Sequence, residues 1–387
     1  MTSELAIDAR WMVSGIGTYI RCLLEGLSSS SDNLRVRVIT RPNHIASIRP
    51  LFPDALVTPT PIYSFSEQWM MPRIARGCDL LHVPHFNVPL GFAGKILVTI
   101  HDLILTTVAP YKSAASSRLY AAPMLQLAAR KATHIITVSE SSKNEIIERL
   151  RVPASKISVI HNAVRPCFYP RSLSESRKLV QQAVGISGPY LLCVGNFKPH
   201  KNVIAFLRSI ALLQAQGKFL DHSVLLIGED AQENAAVHAE ISALQLGAVV
   251  KQISHADEIL LACAYSAAAA LVAPSTSEGF GLPIVEAMAC GAPVICSPIP
   301  VFQEIAQDAA SFSLSTSSND IANAITGLLS SPSEQQSLRH KGLMRAAEFT
   351  PQIFLERHLE IYKRLCHAPR RSHAPQPARE SYEPLEH

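Results

Sequence analysis

Short runs of β-branched and aliphatic residues alternate with longer helical segments along this chain, and the alternation runs twice. Strand-like runs fall at 34–39, 80–83, 96–100, 134–138 and 157–160, with helical segments at 17–28, 113–131 and 139–150. Ser139 or Ser141 can cap the last of these. The pattern weakens between 166 and 189, then restarts with strand-like runs at 190–194, 224–227, 249–252, 269–273 and 294–296. Helical segments at 318–329, 333–348 and 351–366 complete it. Alternation of this kind specifies parallel α/β units, because parallel neighbours need a long crossover and a helix supplies it. Two such runs predict two doubly wound, Rossmann-like domains with a ligand cleft between the carboxyl edges of their sheets. The expected boundaries are 1–168 for the first domain, 169–188 for a linker and 189–350 for the second domain, with a helix at 351–366. Residues 367–387 are rich in Pro and charge and read as a disordered tail, its final Leu-Glu-His resembling an expression-vector remnant.

Hydrophobic residues make up 48% and charged residues 17%, a globular composition with enough apolar surface for two cores. The net charge of +4 is too small to mark a nucleic-acid binder and suits anionic small molecules or a mildly anionic membrane surface. Eight cysteines form no CxxC pair and sit mostly in apolar runs, which reads as buried thiols in a reducing cytoplasm. The opening MTSELAIDAR carries charge where a signal peptide needs an apolar core. The longest uncharged apolar run, 259–273, falls short of the ~20 residues that span a bilayer. A soluble cytoplasmic or peripheral protein is expected. The alanine-rich 113–131 segment, with Arg118, Arg130 and Lys131, reads equally as a face resting on a membrane or as a buried amphipathic helix.

The densest chemistry lies at 277–288, SEGFGLPIVEAM. Pro283 favours a helix beginning near Leu282, which leaves Glu278 in the loop before it and Glu286 in its first turns. The amides of Gly279, Phe280 and Gly281 can approach a ligand closely. Carboxylates that accept from hydroxyls beside amides that donate to them suit a hydroxyl-rich ligand. A second candidate is the loop Ser14-Gly15-Ile16-Gly17-Thr18-Tyr19, which opens a helix and offers amides to phosphate. It is not a dinucleotide fingerprint, since Ile20 stands where the third glycine belongs. A third is Gly195-Asn196-Phe197-Lys198-Pro199-His200-Lys201-Asn202, where Lys201 would start a helix pointing into the cleft and neutralise a phosphate. A fourth is His101-Asp102, at the end of a buried strand. His82 and His85 lie three apart on strand-like sequence and so face opposite ways, which argues against a shared metal. No Asp-x-Asp pair, Gly-x-Ser-x-Gly elbow or Walker loop is present, so no metal is expected.

The 277–288 segment resembles the donor signature of retaining glycosyltransferase family 4, where Glu-x7-Glu precedes a small-residue run like ACGAPVICS here. The resemblance covers most of Leu5 to Cys366 and is strongest at 190–202 and 274–298. It implies two facing Rossmann-like domains (the GT-B fold), the first for the acceptor and the second for a nucleotide sugar, with the last helix crossing back onto the first. It also implies metal-independent transfer of a hexose without a covalent nucleophile. Glu286 would hold the ribose hydroxyls; Glu278, the 279–281 amides and Leu282 the donor sugar; and Lys201, with Gly15 and Gly17, the departing diphosphate. His101 would lie close to the transferred sugar, with Asp102 and His85 on the acceptor side. Many relatives carry arginine where Asn196 stands here, so Lys198 or His200 supplies a second cation or none does. The base would lie along 253–258, bound through the backbone. IDARWMVSGIGTYIRCLL, HVPHFNVP and GNFKPHKN look most like bacterial mannosyl- or rhamnosyltransferases of surface polysaccharide assembly. This implies GDP-mannose as donor, a lipid-linked or oligosaccharide acceptor, and a place on the inner face of the plasma membrane. The alternatives are a phosphorylase or epimerase on the same fold, or a non-catalytic subunit that binds a nucleotide sugar.

Overall fold

The structure, a computed structural model, describes residues 3–32, 34–107, 115–219, 221–228 and 231–367, with backbone only at 115–120 and 231–234. The expected tail beyond 367, residues 113–114 and the Arg118 side chain lie outside the described residues.

The first sheet comprises β1 (Ser3–Asp8), β2 (Leu34–Thr40), β3 (Leu56–Val57), β4 (Leu80–Val83), β5 (Lys95–Thr99), β6 (His134–Thr137) and β7 (Ile157–Val159). Their spatial order is β3-β2-β1-β4-β5-β6-β7, parallel throughout. The second comprises β8 (Tyr190–Val194), β9 (Ser223–Ile227), β10 (Val250–Ile253), β11 (Ala270–Ala273), β12 (Val294–Cys296) and β13 (Ser311–Phe312). It runs β10-β9-β8-β11-β12-β13, again parallel. Strands covered on both faces bury every residue, as in β4, LLHV. Each order reverses once, at β1/β4 and at β8/β11. There the connections leave the carboxyl ends in opposite directions and open a crevice.

The helix Pro351–His367 lies against the first domain, on the helix Ser14–Ser29 and strands β1 and β4. Phe354, Leu359 and Tyr362 enter the same core as Leu5, Ile7 and Leu23. Among the described residues no helix is long and apolar enough to cross a membrane. All eight cysteines are free thiols and six are buried.

The stretch 169–188, read as a linker, contains the helix Leu173–Val184. The Ser172 hydroxyl caps it and Gly185, at φ +76°, ends it. Its polar sequence offers one narrow apolar stripe, with Val180 buried, and the helix packs on Glu258–Ala267. Strands β1, β3 and β13 also went unread; β3 and β13 are two-residue edge strands with no periodicity to see.

Candidate active site

In the second domain the chain leaves β8 at Gly195 and makes a single 3₁₀ turn, Pro199–Lys201. Asn202, at φ +55°, then redirects it into the helix Val203–Ala215. Lys201 therefore ends the turn and does not open the helix as the sequence suggested. The Asn202 amide locks this corner by donating to Pro274 O at 3.1 Å and Thr316 O at 3.0 Å. The Thr276 amide donates to His200 O at 2.7 Å, which ties the loop after β11 to the loop after β8.

Between these loops the Lys201 ammonium meets Glu278 Oε1 at 2.6 Å, and the Ser275 hydroxyl donates to the same oxygen at 2.8 Å. The two side chains remain 18% and 11% exposed, so the pair is sheltered yet open to a ligand. Gly195, Phe197 and Gly281 line the pocket beside them. Gly281 caps the helix Leu282–Ala289 at φ +97°, and a Cβ there would lie 2.7 Å from the Phe302 ring. Only glycine fits. One turn into that helix, Glu286 is buried and accepts from the Tyr265 hydroxyl at 2.9 Å. Burial raises its carboxyl above the ordinary range against the pull of that bond and of Arg165. Asn196 turns onto its own loop, its Oδ1 accepting from the Lys198 amide at 3.4 Å. Burial pushes the His200 imidazole down to about 4, so it is neutral at neutral pH and supplies no second cation.

The first domain supplies the opposite wall. A Cβ on Gly15 would sit 3.6 Å from Leu282 Cδ1, so the glycine loop faces the start of the donor-signature helix. Gly17 is buried where the chain turns back on Met12. After β5, His101 Nε2 donates to Pro84 O at 3.1 Å, and burial lowers its pKa to about 4. Asp102 Oδ1 accepts from the Ile104 amide at 2.9 Å. Burial raises Asp102 to about 6, and the nearby Glu278 charge pushes the same way. A Cβ on Gly279 would lie 2.7 Å from His101 O and 3.2 Å from Asp102 Cβ. His101, Asp102, Lys201 and Glu278 thus converge around Gly279. Phe280 turns inward onto Phe349, at 5.6 Å between ring centroids, and leaves its backbone at the cleft. His85 does not join them: it is 2% exposed and bonds to Asp8 and Asn87.

Sequence reasoning missed the residues that hold the two walls together. Ser139 caps the helix Glu140–Leu150 and donates its hydroxyl to Gly279 O at 2.8 Å. The Ser142 hydroxyl donates to His101 O at 3.1 Å. Glu304, from the second domain, accepts from the amides of Glu140 at 2.8 Å and Ser141 at 2.9 Å and from His161 Nε2 at 2.9 Å. Ser139 was visible as a cap; Glu304 had no local signal.

Family models match both halves of the chain: glycosyl transferases group 1 over residues 178–344 and glycosyltransferase family 4 over residues 13–166. The chain is 28% identical over 286 residues to the O-antigen chain mannosyltransferase B of Escherichia coli, across 74% of each protein. It is 26% identical over 279 residues to the O-antigen chain mannosyltransferase RfbU of Salmonella typhimurium, across 71% of each. Its fold is similar to that of sucrose-phosphate synthase from Thermosynechococcus elongatus, with TM-score 0.76, 22% identity, and 94% and 99% of the two chains covered. Two facing doubly wound domains, each matched by its own model, show that the chain belongs to the group 1 and family 4 glycosyltransferases.

Proposed function

We propose that the protein transfers mannose from GDP-mannose to a hydroxyl of a lipid-linked or oligosaccharide acceptor, with retention and without a metal, in surface polysaccharide assembly. The reading rests on one observation above all. The Lys201–Glu278 pair stands in the β8/β11 crevice and faces His101 and Asp102 across Gly279. Mannose and a polysaccharide product are suggested by the names of the two O-antigen mannosyltransferases to which the chain is similar.

On this reading Glu286 accepts from the ribose hydroxyls, and Glu278 with the 279–281 amides and Leu282 holds the hexose. Lys201 turns from Glu278 toward the diphosphate, aided by Lys198 and the Gly15–Gly17 amides. The bond from the anomeric carbon to the phosphate oxygen breaks as the bond to the acceptor oxygen forms on the same face. The acceptor proton passes to the departing phosphate oxygen. No side chain need act as nucleophile, so charge stabilisation at the phosphate is the main contribution of the protein. Neutral His101, fixed by Pro84 O, offers the sugar an uncharged ring edge. The enzyme would work on the cytoplasmic face of the plasma membrane, where a lipid-linked acceptor lies.

Calorimetric titration with GDP, UDP, ADP and dTDP tests the donor site. GDP should bind selectively, and Glu286→Ala should weaken it about tenfold or more, the effect of losing hydrogen bonds to a charged group. Failure of all four nucleotides to bind overturns the reading.

A further inference from the structure

The second sheet's crevice holds the Lys201–Glu278 pair, whereas at the first sheet's crevice, between β1 and β4, only His85 among the residues that follow has been given a part above. The chain leaves β1 through Arg10 and Trp11, and leaves β4 through His85 and Phe86. Beneath this crevice lies a buried ionic network. Arg10 donates to Asp8 twice, from Nε at 2.8 Å and from Nη2 at 2.7 Å, and also to Glu67. His85 Nε2 donates to Asp8 Oδ2 at 3.2 Å, while its Nδ1 accepts from the Asn87 amide at 3.1 Å. Glu67 accepts from the Asn87 side chain and, at 3.1 Å, from the backbone amide of Tyr63. Asp8, Arg10, Glu67, His85 and Asn87 are at most 2% exposed. Burial alone would raise Asp8, yet Arg10 and His85 hold its carboxyl well below the usual range.

Apolar residues of the same volume would stabilise a core at least as well as such a network. What the network adds is position. Arg10 precedes Trp11, Glu67 grips the Tyr63 amide, and His85 and Asn87 flank Phe86. Tyr63 itself is held at φ +65°, a conformation that costs a non-glycine residue about 1–3 kcal/mol. The three rings that result form one surface: Trp11 and Tyr63 lie 5.7 Å apart edge-on, Tyr63 and Phe86 5.5 Å apart and tilted. Tyr63 is 38% exposed, and Trp11 and Phe86 are half-buried. The shelf is tied to the candidate site, because Pro84, two residues before Phe86, accepts the bond that fixes His101.

We propose that the Trp11–Tyr63–Phe86 shelf is the acceptor subsite and takes the C–H face of a pyranose ring whose hydroxyl points at the donor. The proposal rests on the glycosyl-transfer reading and adds the chemistry of the acceptor to it. The group nearest His101 must bear the hydroxyl that reacts. A pyranose ring has an apolar face and a polar rim, which suits aromatic rings set among hydrogen-bonding groups. A lipid chain calls for a longer continuous apolar surface than three rings, two of them half-buried, present. The more exposed Phe65 and Trp69, on the neighbouring helix Phe65–Ile74, make lipid the competing occupant.

The chain has two tryptophans, Trp11 and Trp69, so Trp69→Phe leaves Trp11 as the sole emitter. That variant is titrated with methyl α-D-mannopyranoside, with α-1,3-mannobiose, and with phosphatidylcholine–phosphatidylglycerol vesicles, while GDP binding is read by calorimetry on the same sample. A saturable change in Trp11 emission with at least one saccharide is expected. A further Tyr63→Ala change should weaken it about tenfold, Tyr63→Phe should retain it, and GDP affinity should stay constant. Silence toward both saccharides with GDP binding intact, or a response to vesicles alone, overturns the shelf as a pyranose site. Absence of GDP binding overturns instead the reading on which the shelf rests.

Discussion

Lys201 and Glu278 meet at 2.6 Å, largely sheltered from solvent, and form a charge-assisted hydrogen bond at the floor of the crevice. On the proposed reading, a diphosphate departing beside Lys201 gains negative charge as the glycosidic bond breaks, and the ammonium meets it. Lys201→Ala should therefore lower turnover at saturating donor about a hundredfold, the ~3 kcal/mol that one well-placed charge contributes to a transition state. Nucleotide affinity should change far less, because the effect falls on charge that develops during reaction. Steady-state kinetics on a variant with wild-type circular dichroism decides it, and unchanged turnover would remove Lys201 from the chemistry. Asp102 is placed differently. Half-buried and raised to about 6, by desolvation first and by the Glu278 charge as well, its carboxyl orders the loop through the Ile104 amide.

The helix Glu140–Leu150 joins the two domains. Its first amides are taken by Glu304 from the other domain, and the Ser139 hydroxyl that caps it reaches Gly279 in the donor signature. A carboxylate on exposed N-terminal amides is favoured both by hydrogen bonding and by the helix dipole. Glu304→Ala should cost about 1–2 kcal/mol in urea unfolding. It should also loosen the Gly279 wall, so that the Michaelis constant for donor rises while the fold is kept. Stability and donor constant both at wild-type values would show the contact to be incidental. Elements with long apolar runs, such as β4 and β8, could be read from sequence to the residue. The pairing of Lys201 with Glu278 was within reach because both lie in recognisable loops. Glu304 was not, since its partners are more than 140 residues away and its own short helix, Pro300–Ala306, carries no motif. Asn202 also escaped notice: its left-handed turn, which sets the direction of Lys201, leaves no pattern in the neighbouring residues.

Across the whole molecule, the crossing helix is fastened to the first sheet by a buried chain of hydrogen bonds whose direction can be deduced. His358 Nδ1 must donate to Phe354 O at 2.7 Å, so its Nε2 accepts from the Tyr19 hydroxyl at 2.6 Å. Tyr19 then accepts from Thr99 at 3.0 Å, Thr99 from His82 Nε2 at 2.8 Å, and His82 Nδ1 from the Tyr362 hydroxyl at 2.7 Å. Both imidazoles must be neutral for this order to hold. Burial holds His358 at about 4 and His82 well below its ordinary 6.5, and it places His101, His134 and His200 at about 4 as well. Between pH 6.5 and 4 the unfolded chain takes up protons that these histidines refuse, so folding stability must fall as pH drops through that window. For His358 alone the full loss is on the order of 3 kcal/mol, complete only near its folded value. Asp102, Glu67 and Glu286 are raised and pull the other way, but they are fewer than the five histidines. The paired Glu258 and Glu304 are lowered and weaken the fold only below the ordinary glutamate range. Urea unfolding between pH 7.5 and 4.5 should show stability falling with acid. In His358→Asn, already weaker at pH 7.5, the slope should be shallower by about one proton, or ~1.4 kcal/mol per pH unit where the difference is greatest. Equal slopes in the two proteins would mean that His358 titrates freely in the fold, and the directed chain from Tyr362 to Phe354 could not then be what fastens the crossing helix.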